Sequence, residues 1–490
     1  MTITFDEIPQ ALRYPGVYVE IDGSRAGLGG DLPKVLLVGQ KLATGTSPAG
    51  EVVRIAGIED AKVKAGAGSM LAEMAERYRK ADSTFDLYLL PYADNAAGTQ
   101  ATGTITVTGA PSANGVLALY IAGRPVNVAI ASTDTMDQIA TKIAQAVIDA
   151  GTKIPVTAAA ATNVATLTAR HKGTCGDDID IRSNLYGEKS PAGLVVAISA
   201  MSGGAGDPDP GNLESLIGQE WFRYVVLGMN DSATLAAWHT ESRRRYMPPI
   251  QAGFRVFCAH RGGYADAATF GESKNYEHVA MLSLAINPNT TWDAAATLAG
   301  AVAPRLHNNP VISLEGVALP GIKGVEYHDF TNANSLLFKG MSIMEVGKDG
   351  SCYVKRLITM YQYRSDGSAD DAWLDINTPE VMERIRYEQR IGAMKRFSGT
   401  VAAKSNEGFR PGLPITTVDS VKAFLLSLYR YTLMREYGWV QAYDYYKSKL
   451  VVEQDVDNPS RFNFMDAPVV TSPFYILAGR SQFRKSASAS

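Results

Sequence analysis

Cysteine is scarce in this 490-residue chain: Cys175, Cys258 and Cys352 stand far apart and are odd in number. Such a set excludes a disulfide framework and fits a reducing compartment. With no C-x-x-C pair it offers no zinc site, and each thiol reads as buried and inert. Charge of one sign is also missing. The 47 basic and 50 acidic residues leave a net charge of -3, so a broad basic surface for nucleic acid is not expected. Apolar runs such as residues 279–286 are far too short to span a bilayer. The opening Met1-Thr2-Ile3-Thr4-Phe5-Asp6-Glu7 has neither the basic nor the apolar region of a signal peptide. A soluble protein made in a cytoplasm is expected, without membrane insertion.

Catalytic signatures are lacking too. There is no G-x-x-x-x-G-K-[ST] for nucleotide hydrolysis, no G-x-S-x-G elbow and no H-E-x-x-H. The six histidines, at 171, 239, 260, 278, 307 and 328, have no ligand spacing. His328-Asp329 suggests a base and its orienter, but neighbours on a strand point to opposite faces. Gly27-Leu28-Gly29-Gly30 precedes a strand rather than following one, so it reads as a flexible loop and not a dinucleotide fingerprint. Gly262-Gly263, between a strand and a helix, reads as an ordinary turn. No catalytic residue, cofactor or metal is expected.

What is present is an ordinary folded composition, 46% hydrophobic and 20% charged, long enough for several domains. Val35-Leu36-Leu37-Val38-Gly39 reads as a buried strand, residues 69–80 as a helix, and residues 85–91 as the next strand: an α/β unit. Composition shifts near Asn95 toward Ala, Thr, Val and Gly. Strands are expected at residues 103–109, 116–121, 126–130, 155–160, 164–169, 179–182 and 195–198. One helix, capped by Thr133 or Asp134, carries the stripe Ile139, Ile143, Val147. The linker Ser202-Gly203-Gly204-Ala205-Gly206-Asp207-Pro208 closes this module. The α/β rhythm then returns, with residues 336–338, 341–345 and 352–357 as strands. Two long helices follow, at 378–397 and 419–437, the second ended by Gly438. Arg243-Arg244-Arg245 reads as a solvated cationic helix end or an ion-pair contact to a neighbouring subunit.

The two ends read as strands. In Tyr14-Pro15-Gly16-Val17-Tyr18-Val19-Glu20-Ile21, Val17, Val19 and Ile21 face one way and Tyr18 and Glu20 the other. Near the other end, residues 450–456 lead through Asp457-Asn458-Pro459 into Arg461-Phe462-Asn463-Phe464, and Phe474-Tyr475-Ile476-Leu477-Ala478 reads as a further strand. Such strands pair within their own domain or with another copy of the chain. Helix 419–437 is apolar over much of its girth. Its basic residues Lys422, Arg430 and Arg435 are either snorkelling ends or a docking contact for an acidic partner.

Pro15-Gly16-Val17-Tyr18-Val19-Glu20, strand 35–39 and the segment from Val452 through Asn458-Pro459 to Phe483 together resemble contractile tail sheath proteins of bacteriophages. Thr135-Met136-Asp137-Gln138-Ile139-Ala140 and Gly173-Thr174-Cys175-Gly176-Asp177-Asp178-Ile179-Asp180 resemble the insert of the Mu-like branch. The resemblance implies a mixed α/β (α+β), multidomain core with a β-rich inserted domain and extended terminal β-arms. Its divisions are an N-terminal arm and hinge at 1–30, a first core part at 31–94, the insert at 95–200, an α/β core at 212–375, a helical part at 376–448 and a C-terminal arm at 449–490. It implies hexameric rings stacked around a tail tube, a baseplate trigger, a tail terminator at the end, and arms paired onto neighbouring subunits. Val17, Tyr18, Val19, Glu20, Ile21, Val452, Phe462, Phe464, Tyr475, Ile476 and Leu477 would form those arms. By position, Lys422, Arg430 and Arg435 would face the tube. Such a protein belongs in a virion and is assembled in the host bacterial cytoplasm. A sheath from a phage-tail-like bacteriocin or another contractile injection system fits equally. An α/β hydrolase using His328-Asp329 or the Gly262-Gly263 turn, and a binding protein acting through residues 95–199, are the readings from other classes.

Overall fold

The computed structural model, which describes residues 33–410 and 412–483, is built on a mixed sheet of eight strands. Their order is Cys352–Arg356, Ser342–Val346, Val279–Ser283, Arg255–His260, Phe222–Leu227, Lys34–Gln40, Asp86–Tyr92, Val53–Ile55. The six inner strands run parallel, and the two outermost pairings are antiparallel. Parallel strands are covered on both faces, which demands near-continuous apolar runs. Val35, Leu36, Leu37 and Val38 are wholly buried, as are Val279, Ala280, Met281 and Leu282.

Helices Met70–Ala81 and Thr291–Asn308 pack along each other over this sheet. Ser69 caps the first, its side chain accepting from Ala72 N. Their closeness depends on small residues. A Cβ at Gly300 would lie 2.8 Å from Tyr78 O and 2.9 Å from the Ala81 Cβ. The Ala-rich stretch of residues 294–303 thus sets the spacing between the helices.

Between Asp86–Tyr92 and Phe222–Leu227 the chain leaves the sheet and builds two smaller ones. One has four strands, Val195–Ser202, Gln100–Gly109, Val164–Lys172 and Val156–Ala161. The other has three, Arg124–Ile130, Gly115–Ile121 and Ile181–Ser183. Helix Met136–Ala150 buries Ile139, Ile143 and Val147 against them. At the neck, Thr99 and Ala205 exchange backbone hydrogen bonds of 2.8 and 3.2 Å, so the chain enters and leaves at one point.

This module is socketed onto the large sheet by polar contacts. Arg124 reaches Glu73 at 2.7 Å and Asp293 at 3.0 Å, and Trp292 donates to Glu73 at 2.8 Å. Both carboxylates are buried. His171 accepts from Met70 N at 3.0 Å through Nε2 and meets Asp94 at 2.9 Å through Nδ1. A side chain of the module therefore serves the start of a core helix. Arg261 pairs with Asp180 on a further side of the same junction.

Several expectations change. Residues 336–338 are not a strand: helix Phe330–Leu337 ends there, started by Asp329, whose carboxylate accepts from Asn332 N at 2.9 Å. The cap of helix Met136–Ala150 is Thr135, which makes a reciprocal capping box with Gln138; Thr133 and Asp134 lie just outside. Arg245 is not a solvated helix end. It is buried, meets Glu241 at 2.6 Å and donates to Glu220 O and Gly218 O. Cys175, Cys258 and Cys352 are buried free thiols, and burial pushes Cys258 up to about 12 and Cys352 to about 11. Among the described residues, no helix is long and apolar enough to cross a membrane.

A buried charge cluster fixes helix Asn377–Phe397 to the sheet. Arg255, wholly buried, meets Glu383 at 2.5 Å and donates to His278 Nδ1 at 2.7 Å and Pro379 O at 3.1 Å. Arg223 meets Glu380 at 2.6 Å. Burial alone would raise the Glu380 carboxyl, but Arg223, Arg384 and Arg255 hold it down at about 2. Removing one partner of such a pair strands the other. Glu383→Ala is expected to lower the unfolding free energy by about 3–5 kcal/mol, measured by urea denaturation.

Candidate assembly site

The C-terminal part has its own small core. Val381 and Ile385 of helix Asn377–Phe397 meet Leu425, Tyr429, Leu433, Trp439, Val440, Tyr446 and Leu450. Leu425, Tyr429 and Leu433 recur every four residues, so one stripe of the second helix is buried. Tyr429 stacks on Tyr446 with ring centres 3.7 Å apart. The Tyr429 hydroxyl donates to Gln441 O at 2.5 Å and accepts from Val469 N at 3.2 Å. Asp466 accepts from Gln389 at 2.8 Å and from the Tyr446 hydroxyl at 3.1 Å. Tyr429 was expected on a buried stripe of this helix, but the anchors Trp439 and Tyr446 were missed in the sequence. Their signal was density: Tyr429, Tyr431, Tyr437, Trp439, Tyr443, Tyr445 and Tyr446 fall within 18 residues.

The second helix is not uniform. Thr417 caps an α-helix over Val418–Ser427, and Leu428–Glu436 continues it as a π-helix. An i→i+5 pitch stacks residues five apart, whereas an α-helix turns them more than a third of a turn away from each other. Arg430 and Arg435 benefit directly. Both guanidinium groups lie over the Tyr431 ring, at 5.8 and 5.2 Å. Arg430 also lies 5.1 Å from the Tyr443 ring. Tyr431 and Arg435 are exposed, and Arg430 and Lys422 are half-buried. The widened turns thus present two cations and an aromatic ring as one ridge; Lys422 lies earlier, on the α-helical part.

The strands after Leu450 do have a partner of their own. Val451–Gln454 and Phe462–Met465 pair antiparallel with each other, Val452 opposite Phe464 and Gln454 opposite Phe462. Asp455 builds the turn by accepting from Asp457 N and Asn458 N at 3.0 and 2.9 Å. These backbone donors hold its carboxyl below the usual range. Val452 packs against the small core. Phe462 and Phe464 line a crevice of about 430 Å³ with Phe397, Phe424 and Leu425. The side chains named as arm residues in this hairpin are therefore engaged within the chain, because the Asp455 turn brings their strands together. Among the described residues, its two outer backbone edges pair with no strand.

No family model matches the chain. It is 34% identical to the Mu-like prophage FluMu tail sheath protein of Haemophilus influenzae over 490 residues, covering 99% of this chain and 100% of that one. The chain belongs to the Mu-like tail sheath proteins. Solved structures similar to it include the sheath tail protein of Desulfitobacterium hafniense, at 15% identity and TM-score 0.46, covering 93% of this chain and 100% of that chain. Another is the helical sheath of the anti-feeding prophage in its contracted state, at 13% identity and TM-score 0.48, covering 97% and 100%.

Beyond the hairpin, this sheath protein pairs Val440–Gln441 with Val469–Val470. Residues 474–478, expected as a strand, make no ladder within the described chain. Tyr475 is half-buried, with the Arg356 guanidinium 4.7 Å from its ring centre. Ile476 and Leu477 are 75% and 86% exposed, beside exposed Phe474 and Phe483. Val17, Tyr18, Val19, Glu20 and Ile21, and the Gly-rich residues 23–30, lie outside the described residues. Residues 406–410 and 412–414 are exposed, and Gly408 and Gly412 take positive φ.

The pair proposed for catalysis is separated by its surroundings. Asp329 is committed to its helix cap, while His328 Nε2 meets Ser283 Oγ at 2.9 Å. Burial lowers the His328 pKa. Gly262 N donates to Ala285 O at 3.0 Å, a long-range contact that occupies its donor. Among the described residues no three His, Cys, Asp or Glu side chains converge to hold a metal.

The small core carries the hairpin, so its anchor sets arm placement. Tyr446→Ala removes the stacked ring and the Asp466 contact. It is expected to cost about 3–5 kcal/mol, as for other buried aromatics. Limited proteolysis should then cut near residues 450–470 well before the eight-stranded sheet opens.

Proposed function

We propose that this protein is a structural subunit of a contractile tail sheath and not an enzyme. Subunits polymerise as stacked hexameric rings around the tail tube and contract to drive the tube through the host envelope. One observation carries this reading: among the described residues the C-terminal hairpin is a two-stranded sheet with no strand on either edge. An isolated hairpin is marginal in water, and an open edge is a template for an added strand. Addition of a strand from another copy satisfies its main-chain donors and acceptors. The alternating strand of Val17, Tyr18, Val19, Glu20 and Ile21 suits that role, with the Gly-rich residues 23–30 as its hinge. The segment containing Tyr475, Ile476 and Leu477 is a second candidate arm. Main-chain pairing survives a change of subunit orientation, so contraction becomes a repacking between two stable arrangements and needs no nucleotide.

The proposed partners are further copies of the chain, the tail tube protein, and baseplate and tail terminator proteins. Nucleic acid contact and membrane insertion play no part. The subunit assembles in the host bacterial cytoplasm and works in the virion, or in a phage-tail-like bacteriocin or related injection device. The divisions 1–30, 31–94, 95–200, 212–375, 376–448 and 449–490 serve as arm and hinge, first core part, insert, α/β core, helical part and C-terminal arm. The Arg430–Tyr431–Arg435 ridge, with Lys422 beside it, is the proposed tube contact, facing an acidic tube surface.

Purified full-length protein at high concentration should form rings or striated tubes in negative-stain electron microscopy. Deleting residues 1–23 should abolish them and leave a folded monomer. A full-length protein that stays monomeric at every concentration contradicts the reading. Arg430→Glu with Arg435→Glu should leave self-assembly intact while abolishing co-sedimentation of sheath with preformed tail tubes. Unchanged co-sedimentation would move the tube contact elsewhere.

A further inference from the structure

At the antiparallel end of the large sheet lies a groove of about 570 Å³, walled by Phe330, Leu337, Ile343 and Met344 and floored by Arg356. Tyr475 and Ile476, from the far C-terminal segment of the same chain, lie in it. The hold is slight. Tyr475 is half-buried, its ring against the Arg356 guanidinium and its hydroxyl buried, and Ile476 rests at the rim. Between Thr471, whose N–H donates to Trp439 O at 2.9 Å, and residue 483, no backbone hydrogen bond to the described residues ties the segment down. The groove is only partly filled. Phe330 remains 87% exposed, and Phe338 at the end of the same helix is exposed too. A run of unpaired backbone bearing Phe474, Ile476 and Leu477 would be sticky if released.

We propose that this contact is an autoinhibitory latch: the free subunit parks its own 474–477 segment in the groove, and assembly requires the segment to leave. This rests on the sheath reading. A single cation–π anchor suits a latch, because it withholds the arm from random encounters yet yields to a neighbour offering a full strand ladder. A tighter hold would leave too small a competent fraction for polymerisation. An absent hold would leave an exposed apolar strand on every subunit, open to disordered aggregation.

The test uses full-length protein, with polymerisation followed by light scattering. In the double variant Ala333→Cys with Ile476→Cys, the two introduced thiols line the same groove. The native cysteines are buried, so a reductant-cleavable bis-maleimide should join the introduced pair. The joined protein is expected not to polymerise, and cleavage should restore assembly. Failure to cross-link within one chain, or normal assembly of the joined protein, overturns the latch. Ala333→Trp fills the groove without touching the arm. It should lower the critical concentration by roughly three- to tenfold, the factor a single cation–π anchor can withhold. An unchanged or higher critical concentration, with the fold intact by circular dichroism, also overturns it. If the unmodified protein forms neither rings nor tubes, the sheath reading itself has failed instead.

Discussion

The wholly buried guanidinium of Arg255 is the constraint on which the two halves of this protein depend. It leaves the sheet at the start of a parallel strand and must find anions within its own reach in the interior. Glu383 and Glu380, one turn apart on helix Asn377–Phe397, supply them. The helix therefore has one rotation and one height against the sheet, since any slip would leave charges unpaired in a low dielectric. Everything after it, including the aromatic core around Tyr429 and Tyr446, the π-helical ridge and the hairpin, hangs from a helix positioned in this way. A purely apolar contact would hold the helix as firmly but would tolerate sliding. In a subunit that must transmit force, specificity of position matters more than depth of the energy well.

Much of the sheet was legible from local pattern. Runs such as Val35-Leu36-Leu37-Val38 can only be strands covered on both faces, and Ser69 announces its helix by capping chemistry. The failures have physical reasons. Leu336-Leu337-Phe338 is apolar enough for a strand, yet Asp329 had already started a helix that those residues finish. Arg243-Arg244-Arg245 looked like one solvated unit, but successive helix positions face different ways: Arg244 meets Glu241 from the surface, and Arg245 turns inward to Glu241 and the carbonyls of residues 218 and 220. The α-to-π change at Leu428 leaves no trace in apolar spacing, because Leu425, Tyr429 and Leu433 suit either pitch. The hairpin was read correctly as strands. Its pairing within the chain turned on the Asp455 turn, whose three-residue reach needs coordinates to see.

The proposed assembly surfaces combine two different deficits. Among the described residues the hairpin edges pair with no strand, while the segment after Ser472 has no backbone hydrogen bond and leaves Phe474, Ile476 and Leu477 exposed. The first is satisfied by geometry shared by any strand, and the second by particular side-chain pockets. A lattice using both can keep its main-chain links while exchanging its side-chain contacts. That division suits a polymer that changes shape without coming apart.

The neck at Thr99 and Ala205 has an evolutionary consequence. Because entry and exit coincide, the β-rich module behaves as a cassette, and its loss or replacement need not move Asp86–Tyr92 or Phe222–Leu227. The sockets limit which cassettes are acceptable. Glu73 and Asp293 are buried carboxylates beneath Arg124, and Met70 N depends on His171. A newcomer must bring a cation and a hydrogen-bond acceptor to those points, or the core must first give up its acids. Diversification of the decoration is therefore free in its outer strands and tightly bound at its base.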